Sequence, residues 1–158
     1  MYLIILYKNN IIMLYMNNYI KTEYSEFALH HNNMINIIVH ILSGILYMSS
    51  LNVLSKNRLI YWYILLLLLT YDEYIIIIVS LYYIHLSTNS FISKKISRPS
   101  CIIIFLAGCF LFPEISHIVT NEDTILNIDN ITIDKVIINI IYFLPFSMNR
   151  FSELFNIK

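Results

Sequence analysis

The stretch from Met34 to Leu54 constrains the fold more than any other part of the chain, because it contains no charged residue. It has about the ~20 residues that an α-helix needs to cross a membrane. Asn32 and Asn33 precede it and can cap a helix, and the basic segment 55–58 follows it. The sequence therefore predicts a membrane-spanning helix over residues 34–54.

The composition of the whole chain also favours a membrane protein. Of its 158 residues, 58% are hydrophobic and 13% are charged, and the mean hydropathy is +0.68. A soluble globular domain has about 25% charged residues, so this chain has too few polar side chains to cover a surface that faces water. Its length predicts a single domain, over residues 22–158, with residues 1–21 as an N-terminal leader or interfacial helix. The net charge of zero provides no basic excess for binding nucleic acid.

Two adjacent acidic residues, Asp72 and Glu73, interrupt the apolar block that covers residues 59–86. One helix through the whole block would be too long for an upright span and would bury both carboxylates near the middle of a membrane. A hairpin that turns at these residues avoids this and places a basic loop at each foot, as the positive-inside rule favours.

Two further apolar segments follow the hairpin. The first covers residues 99–119, where Pro113 is expected to kink or end the helix, and the second covers residues 136–148. We therefore expect an all-α, polytopic membrane helical bundle of about four to five helices with a central helical hairpin.

Histidine and asparagine side chains are concentrated where the polar N-terminal part meets the first long apolar segment. The run has the pattern His31-x-Asn33-x-x-Asn36-x-x-x-His40. A bend near residues 32–33 would let the imidazoles of His31 and His40 converge. The hairpin topology would bring His117 to the same side of the bundle and leave His85 on the other side.

Three convergent imidazoles would suit a metal site, because neutral imidazole binds iron, zinc, copper and nickel. Non-haem Fe(II) sites often add a carboxylate, and the candidates for further ligands nearby are His30, Glu114, Glu122 and Asp123. The alternative is that the histidines form hydrogen bonds between packed helices, which is the role we expect for His85. Asparagine is abundant throughout the chain, so its spacing does not distinguish the two.

The first motif and the layout of the helices resemble the 2-hydroxy fatty acid dioxygenase family, small multi-helix proteins of the endoplasmic-reticulum membrane. The likeness covers roughly residues 24–150. The family has a downstream helix that ends in a histidine followed by a glutamate, and His117 and Glu122 occupy the comparable places. Pro113 stands where the family usually has glutamine, and Ser116 where it commonly has glycine.

This resemblance implies an Fe(II)-dependent dioxygenase that uses O₂ to shorten a 2-hydroxy fatty acid by one carbon, as in fatty acid α-oxidation and sphingoid-base breakdown. It also implies an integral membrane protein of the endoplasmic reticulum, with the acyl chain among the apolar helices. The implied site comprises the metal ligands His31, His40 and His117 and the assisting residues Asn33, Asn36 and Glu122. A non-catalytic multi-span membrane scaffold or a small transport component is the alternative, in which the acidic turn at residues 72–73 would be the functional feature.

Overall fold

The computed structural model describes residues 18–70, 74–89, 96–124 and 132–155, and all regular structure among them is helical. These residues form six helices: α1 (residues 18–29), α2 (Met34–Leu54), α3 (Leu59–Thr70), α4 (Tyr74–Ser87), α5 (Arg98–Thr120) and α6 (Ile133–Leu154). The predicted all-α class is confirmed, with one helix more than the four to five expected. Residues 18–21 of the predicted leader belong to α1, while residues 1–17 lie outside the described part of the chain.

Helix α2 is central, and it contacts α3, α4, α5 and α6. At its start, the side-chain oxygen of Asn33 accepts a hydrogen bond from the backbone N–H of Ile35 at 2.9 Å. This bond satisfies a donor that the first turn of a helix leaves free. After Leu54 the chain reverses through Lys56 and Asn57, whose φ values are 56° and 61°. The predicted bounds of this helix, residues 34–54, are confirmed.

Helices α3 and α4 contact each other and place their free ends against the C-terminal half of α2. At the start of α3, the backbone N–H of Ile60 donates to Asn52 Oδ1 at 3.2 Å. At the end of α4, Ser49 Oγ donates to the carbonyl oxygen of Ile84 at 3.3 Å. The two helices therefore begin and end at the same end of α2, as a hairpin requires, and the acidic residues 72–73 between them lie outside the described residues.

The two glycines of the sequence lie where α5 and α6 cross α2. A Cβ atom on Gly44 would lie 2.9 Å from the Cβ of Leu144 on α6. A Cβ atom on Gly108 of α5 would lie 3.0 Å from the Cβ of Tyr47 and 3.1 Å from the carbonyl oxygen of Ser43. Since small residues let helix backbones approach closely, these glycines allow α5 and α6 to pack against α2 on the turns that follow His40.

Helix α5 continues through the proline that the sequence predicts would kink or end it. One π-helical turn, Ala107–Leu111, precedes Pro113, and the backbone N–H of Phe112 donates to the carbonyl oxygen of Ala107. Such a turn adds one residue to the helix register. The helix then extends to Thr120, which carries His117 back to the first turns of α2.

Helix α6 also contains a proline, and it is longer than the predicted segment 136–148. Pro145 has no N–H to donate to the carbonyl oxygen of Ile141. The hydroxyl of Tyr63, on α3, donates to that oxygen at 2.8 Å. The carbonyl group is therefore satisfied by a neighbouring helix.

Helices α2 and α5 are long enough and apolar enough to cross a membrane, whereas α3 and α4 are shorter apolar helices. Length and composition alone do not separate such helices from the core helices of soluble proteins. Several large apolar side chains of this chain are nevertheless mostly exposed, among them Ile75, Ile103 and Ile118 at 76, 67 and 77%. Soluble monomers rarely expose large contiguous apolar areas, so these outer faces fit contact with lipid or with another apolar surface.

Candidate metal centre

His31, His40 and His117 converge at one end of the bundle, as the sequence predicts. One ring nitrogen from each lies within 4.8 Å of the others. The three side chains are buried, with 1, 1 and 5% of their surface exposed. Among the described residues these three form the one group of side chains close enough to share a metal ion, so the cluster is a candidate metal centre.

His31 reaches the cluster because the chain bends between α1 and α2, where residues 31–33 are not helical. Arg150 of α6 holds this bend from outside. Its Nε donates to the carbonyl oxygen of His31 at 2.8 Å, and its Nη2 donates to Asn32 Oδ1 at 2.5 Å. The predicted bend is confirmed, while the part that Arg150 plays in holding it was not foreseen from the sequence.

Backbone carbonyl groups fix the tautomers of two of the histidines. His31 Nδ1 lies 2.6 Å from the carbonyl oxygen of Phe27, and His40 Nδ1 lies 2.9 Å from that of Asn36. A carbonyl oxygen only accepts, so each Nδ1 carries a hydrogen and donates it. In the neutral rings, both Nε2 atoms are therefore bare lone pairs, as in metal-binding histidines whose other nitrogen donates to a carbonyl group.

These two Nε2 atoms face each other at 2.9 Å. Two lone pairs at this distance repel each other unless a proton or a metal ion lies between them. A proton there would make one ring cationic, but burial lowers the pKa of His31 to about 4, which disfavours the charged ring at neutral pH. Two nitrogens that each lie ~2.1 Å from a metal at right angles are about 3 Å apart. The spacing of the donor atoms therefore fits a metal ion.

Aromatic rings hold the two imidazoles in place. The ring of Phe27 stacks on that of His31 at 3.8 Å between centroids and 8° between planes. Phe143 of α6 stacks on His40 at 4.7 Å and 27°. Of the two, Phe27 could have been found from the sequence, because it lies four residues before His31, the spacing at which side chains of a helical turn meet.

Asn36 connects the third histidine to the rest of the site. Its side-chain Nδ2 donates to Glu122 Oε2 at 2.7 Å and lies 3.3 Å from His117 Nδ1. Its Oδ1 accepts a hydrogen bond from the hydroxyl of Ser116, which also lies 3.2 Å from His40 Nδ1. Asn36 is completely buried, so it orients His117 from within the protein. The contact at 3.3 Å is long for a hydrogen bond, which leaves His117 less firmly held than the other two rings.

Glu122 lies at the N-terminus of α2. Besides Asn36, it accepts hydrogen bonds from the backbone N–H groups of Asn32 and Asn33, at 2.6 and 2.8 Å. Partial burial alone would raise its pKa, but these three hydrogen bonds outweigh it and lower the pKa of the carboxyl group. The carboxylate is therefore ionised at neutral pH. The side chain of Asn36 connects it to His117. Its predicted role beside the metal remains a prediction.

The other predicted residues lie around the cluster. Asn33 caps α2 through its side chain. His30 is half-buried and Asp123 is exposed, while Glu114 accepts a hydrogen bond from the hydroxyl of Thr124 at 3.1 Å.

His85 is near the end of α4, beside Asn89. The adjacent residue, Ile84, contacts Ser49 of α2. Ser49 is roughly 14 Å beyond His40 along that helix. The structure therefore separates His85 from the cluster.

A cavity of about 330 Å³ opens beside the three histidines. It lies between α5 and α6, with α2 behind it, and its walls are mostly apolar. Its lining consists of Phe27, His31, His40, Tyr47, Cys109, Phe110, Pro113, Glu114, His117, Thr124, Val136, Asn139, Ile140 and Phe143. No lysine or arginine is among these described residues. A carboxylate head group in this cavity would therefore meet a positive charge through a metal ion that the three histidines hold.

Comparisons with known proteins do not assign this chain to a family. No family model matches it, and neither does any curated protein or solved structure. The function is therefore argued from the cluster, the cavity and the sequence motif.

Proposed function

We propose that this protein is an integral membrane Fe(II)-dependent dioxygenase that shortens 2-hydroxy fatty acids by one carbon. One observation carries the proposal: His31 and His40 present opposed, unprotonated Nε2 atoms at 2.9 Å, with His117 beside them, at one end of an apolar cavity. A metal ion removes the repulsion between these atoms, and the cavity suits an acyl chain. The motif that carries the family resemblance supplies two of the three histidines.

The identity of the metal follows from the donor set and the proposed chemistry. Three imidazoles suit several divalent metals, and we favour iron because histidine ligands with open positions are the pattern of non-haem Fe(II) oxygenases. Bound iron would supply the activation of O₂ and would attract the carboxylate and hydroxyl groups of the substrate. The three histidines would hold it by their ring nitrogens.

The remaining residues would orient the histidine rings and bind the acyl chain of the substrate. Asn36 and Glu122 would fix His117, since their hydrogen bonds are buried or partly buried. The stacked rings of Phe27 and Phe143 would keep the other two imidazoles from turning and would exclude water from them. The apolar walls of the cavity would hold the acyl chain, which brings its α-carbon to the histidines and so accounts for reaction at that carbon.

A location in the endoplasmic-reticulum membrane is part of the proposal. It is supported by the length and composition of α2 and α5, by the exposed apolar side chains of the outer faces, and by the resemblance. The seating of the substrate between helices also suits a lipid that is dissolved in the bilayer.

The test is to purify the protein in detergent, load it with Fe(II) without oxygen, and measure bound iron and the product formed from 2-hydroxypalmitate and O₂. The wild-type protein should bind one iron and release a fatty acid one carbon shorter, with the lost carboxyl carbon leaving as CO₂ and water as the other product. His40→Ala should lose both properties, and His85→Ala should keep both, because His85 lies on another level of the bundle. Equal losses in the two variants would overturn the site. A wild-type protein without iron or turnover would favour the non-catalytic scaffold.

A further inference from the structure

The cavity beside the histidines has a defined inner end. Along α2, His40 and Tyr47 both line it, and they lie two turns apart on one face. Along α5, the lining runs from His117 back to Cys109 and Phe110. The residues one turn further along either helix do not line it. The cavity therefore extends ~10 Å from the histidines, which matches an extended chain of about eight carbons, and it ends at Tyr47.

Tyr47 is held rigidly at this end. Only 1% of its surface is exposed, and its hydroxyl donates to the carbonyl oxygen of Ile140 at 2.5 Å. The backbone of Gly108 passes so close to it that an added Cβ would lie 3.0 Å from the Cβ of Tyr47. Phe143 packs against its ring from the side of the histidines, at 6.1 Å between centroids. If the tyrosine ring moved aside, it would lose its hydrogen bond to α6 and its packing against Phe143.

The cavity is open on one side, between α5 and α6. Phe110, which is 49% exposed, and the half-buried Val136 and Asn139 border this opening. In the membrane location proposed above, the outer face of α5 would contact lipid, so the opening would face acyl chains of the bilayer. A lipid chain could enter sideways there and lie with its head group at the histidines.

We propose that Tyr47 determines the length of the acyl chain that this site accepts. This inference rests on the proposed function for the identity of the head group and for the location in a membrane. An acid of about ten carbons fits, with its first two carbons at the histidines and the other eight along the ~10 Å to the tyrosine ring. A longer chain meets the ring and has to bend out through the opening between α5 and α6, where it loses contact with the cavity walls. The site therefore prefers medium-chain over long-chain acids.

The experiment measures the preference twice, once by binding and once by turnover. Native mass spectrometry of the detergent-solubilised protein would compare the binding of decanoate and palmitate, which do not react. Turnover would be measured on an equal mixture of 2-hydroxydecanoate and 2-hydroxypalmitate in the same micelles, so that both acids partition into one apolar phase. The wild type should favour the shorter acid in both measurements.

Three variants test the role of the ring. Tyr47→Ala should shift the ratio of shorter to longer acid by about tenfold towards the longer acid. A difference of one methylene group in an apolar pocket already changes the preference between two substrates by about this factor. Tyr47→Phe keeps the ring and should keep the wild-type ratio. Cys109→Leu fills the same end of the cavity and should lower binding and turnover of the ten-carbon acids relative to the matching eight-carbon acids, which tests the inference even if Tyr47→Ala does not fold.

The outcomes separate this inference from the proposed function. If the wild type turns over neither acid but the binding preference changes in Tyr47→Ala or Cys109→Leu, the proposed function is wrong. The role of Tyr47 in setting chain length is then supported. If the wild type and all variants turn over the two acids at the same ratio, Tyr47 does not set the chain length. The proposed function is then supported. Bound iron, measured in each variant, should stay at the wild-type level, because Tyr47 does not contact the histidine nitrogens.

Discussion

Replacing Asn36 with alanine should weaken metal binding by about 10- to 100-fold, the usual effect of losing a residue that orients a metal ligand. The side chain is wholly buried, donates a hydrogen bond to Glu122 at 2.7 Å and lies 3.3 Å from His117 Nδ1. Its loss frees the His117 ring and removes a hydrogen bond to a charged group, which contributes about 1.5–3 kcal/mol to stability. We therefore expect a loss of roughly 1.4–2.7 kcal/mol in the free energy of metal binding.

The assay is the equilibrium affinity for Fe(II) of the purified protein, with the thermal unfolding of the metal-free protein measured in parallel. Asn52→Ala is the matched control, because Asn52 is also buried on α2 and its side chain accepts a hydrogen bond from Ile60. It lies roughly 24 Å from Asn36 along the helix. Both variants should unfold more easily, but only Asn36→Ala should lose metal affinity. Equal affinities in the two variants would refute the role of Asn36 as the residue that orients His117.

Three further predictions concern pH, helix crossing and the proline of α6. Burial lowers the pKa of His31 to about 4, so iron binding should persist to about pH 5 in equilibrium dialysis, well below the usual imidazole value near 6.5. The unfolded ring takes up its proton first, so the metal-free protein should also lose stability as the pH falls from about 6.5 to about 4; half-loss of iron near pH 6.5 would contradict this. Gly44→Ala should lower the free energy of unfolding by about 1 kcal/mol, because the new Cβ would lie 2.9 Å from the Cβ of Leu144. The cost of overpacking, ~1–3 kcal/mol, exceeds the gain of ~1 kcal/mol in helix propensity. A more stable variant would show that the helices separate at little cost. Tyr63→Phe should cost about 1–3 kcal/mol, because it leaves the Ile141 carbonyl group without its donor, while iron binding stays unchanged; loss of iron would mean that the hairpin supports the histidines directly.

The parts of the fold that the sequence predicts well are those set by local chemistry. The bounds of α2 follow from a charge-free stretch between a capping asparagine and a basic turn, and both signals act within a few residues. The hairpin follows from the cost of burying two carboxylates. The convergence of the three histidines then follows from the order of the helices, and the structure confirms it.

The parts that the sequence does not predict depend on contacts between distant residues. Pro145 and Pro113 stand inside helices, since Tyr63 supplies a donor to α6 and a π-helical turn adjusts α5. Local rules give no sign of either compensation. Ser116 is likewise an ordinary residue in the sequence, and only packing of α5 on α2 brings it to Asn36.

The positions of the three histidines along the chain have a consequence for how the protein is made. His31 and His40 leave the ribosome before the hairpin, His117 follows only after it, and Arg150, which secures the bend at His31, comes later still. A growing chain therefore holds two of the three donors through most of its synthesis and cannot form the complete centre. Because a metal binds a complete set of ligands far more tightly than a partial one, the ion should be acquired after the last helix has docked. Metal occupancy would then mark the chains that have assembled correctly, and chains that fail in the hairpin would stay empty.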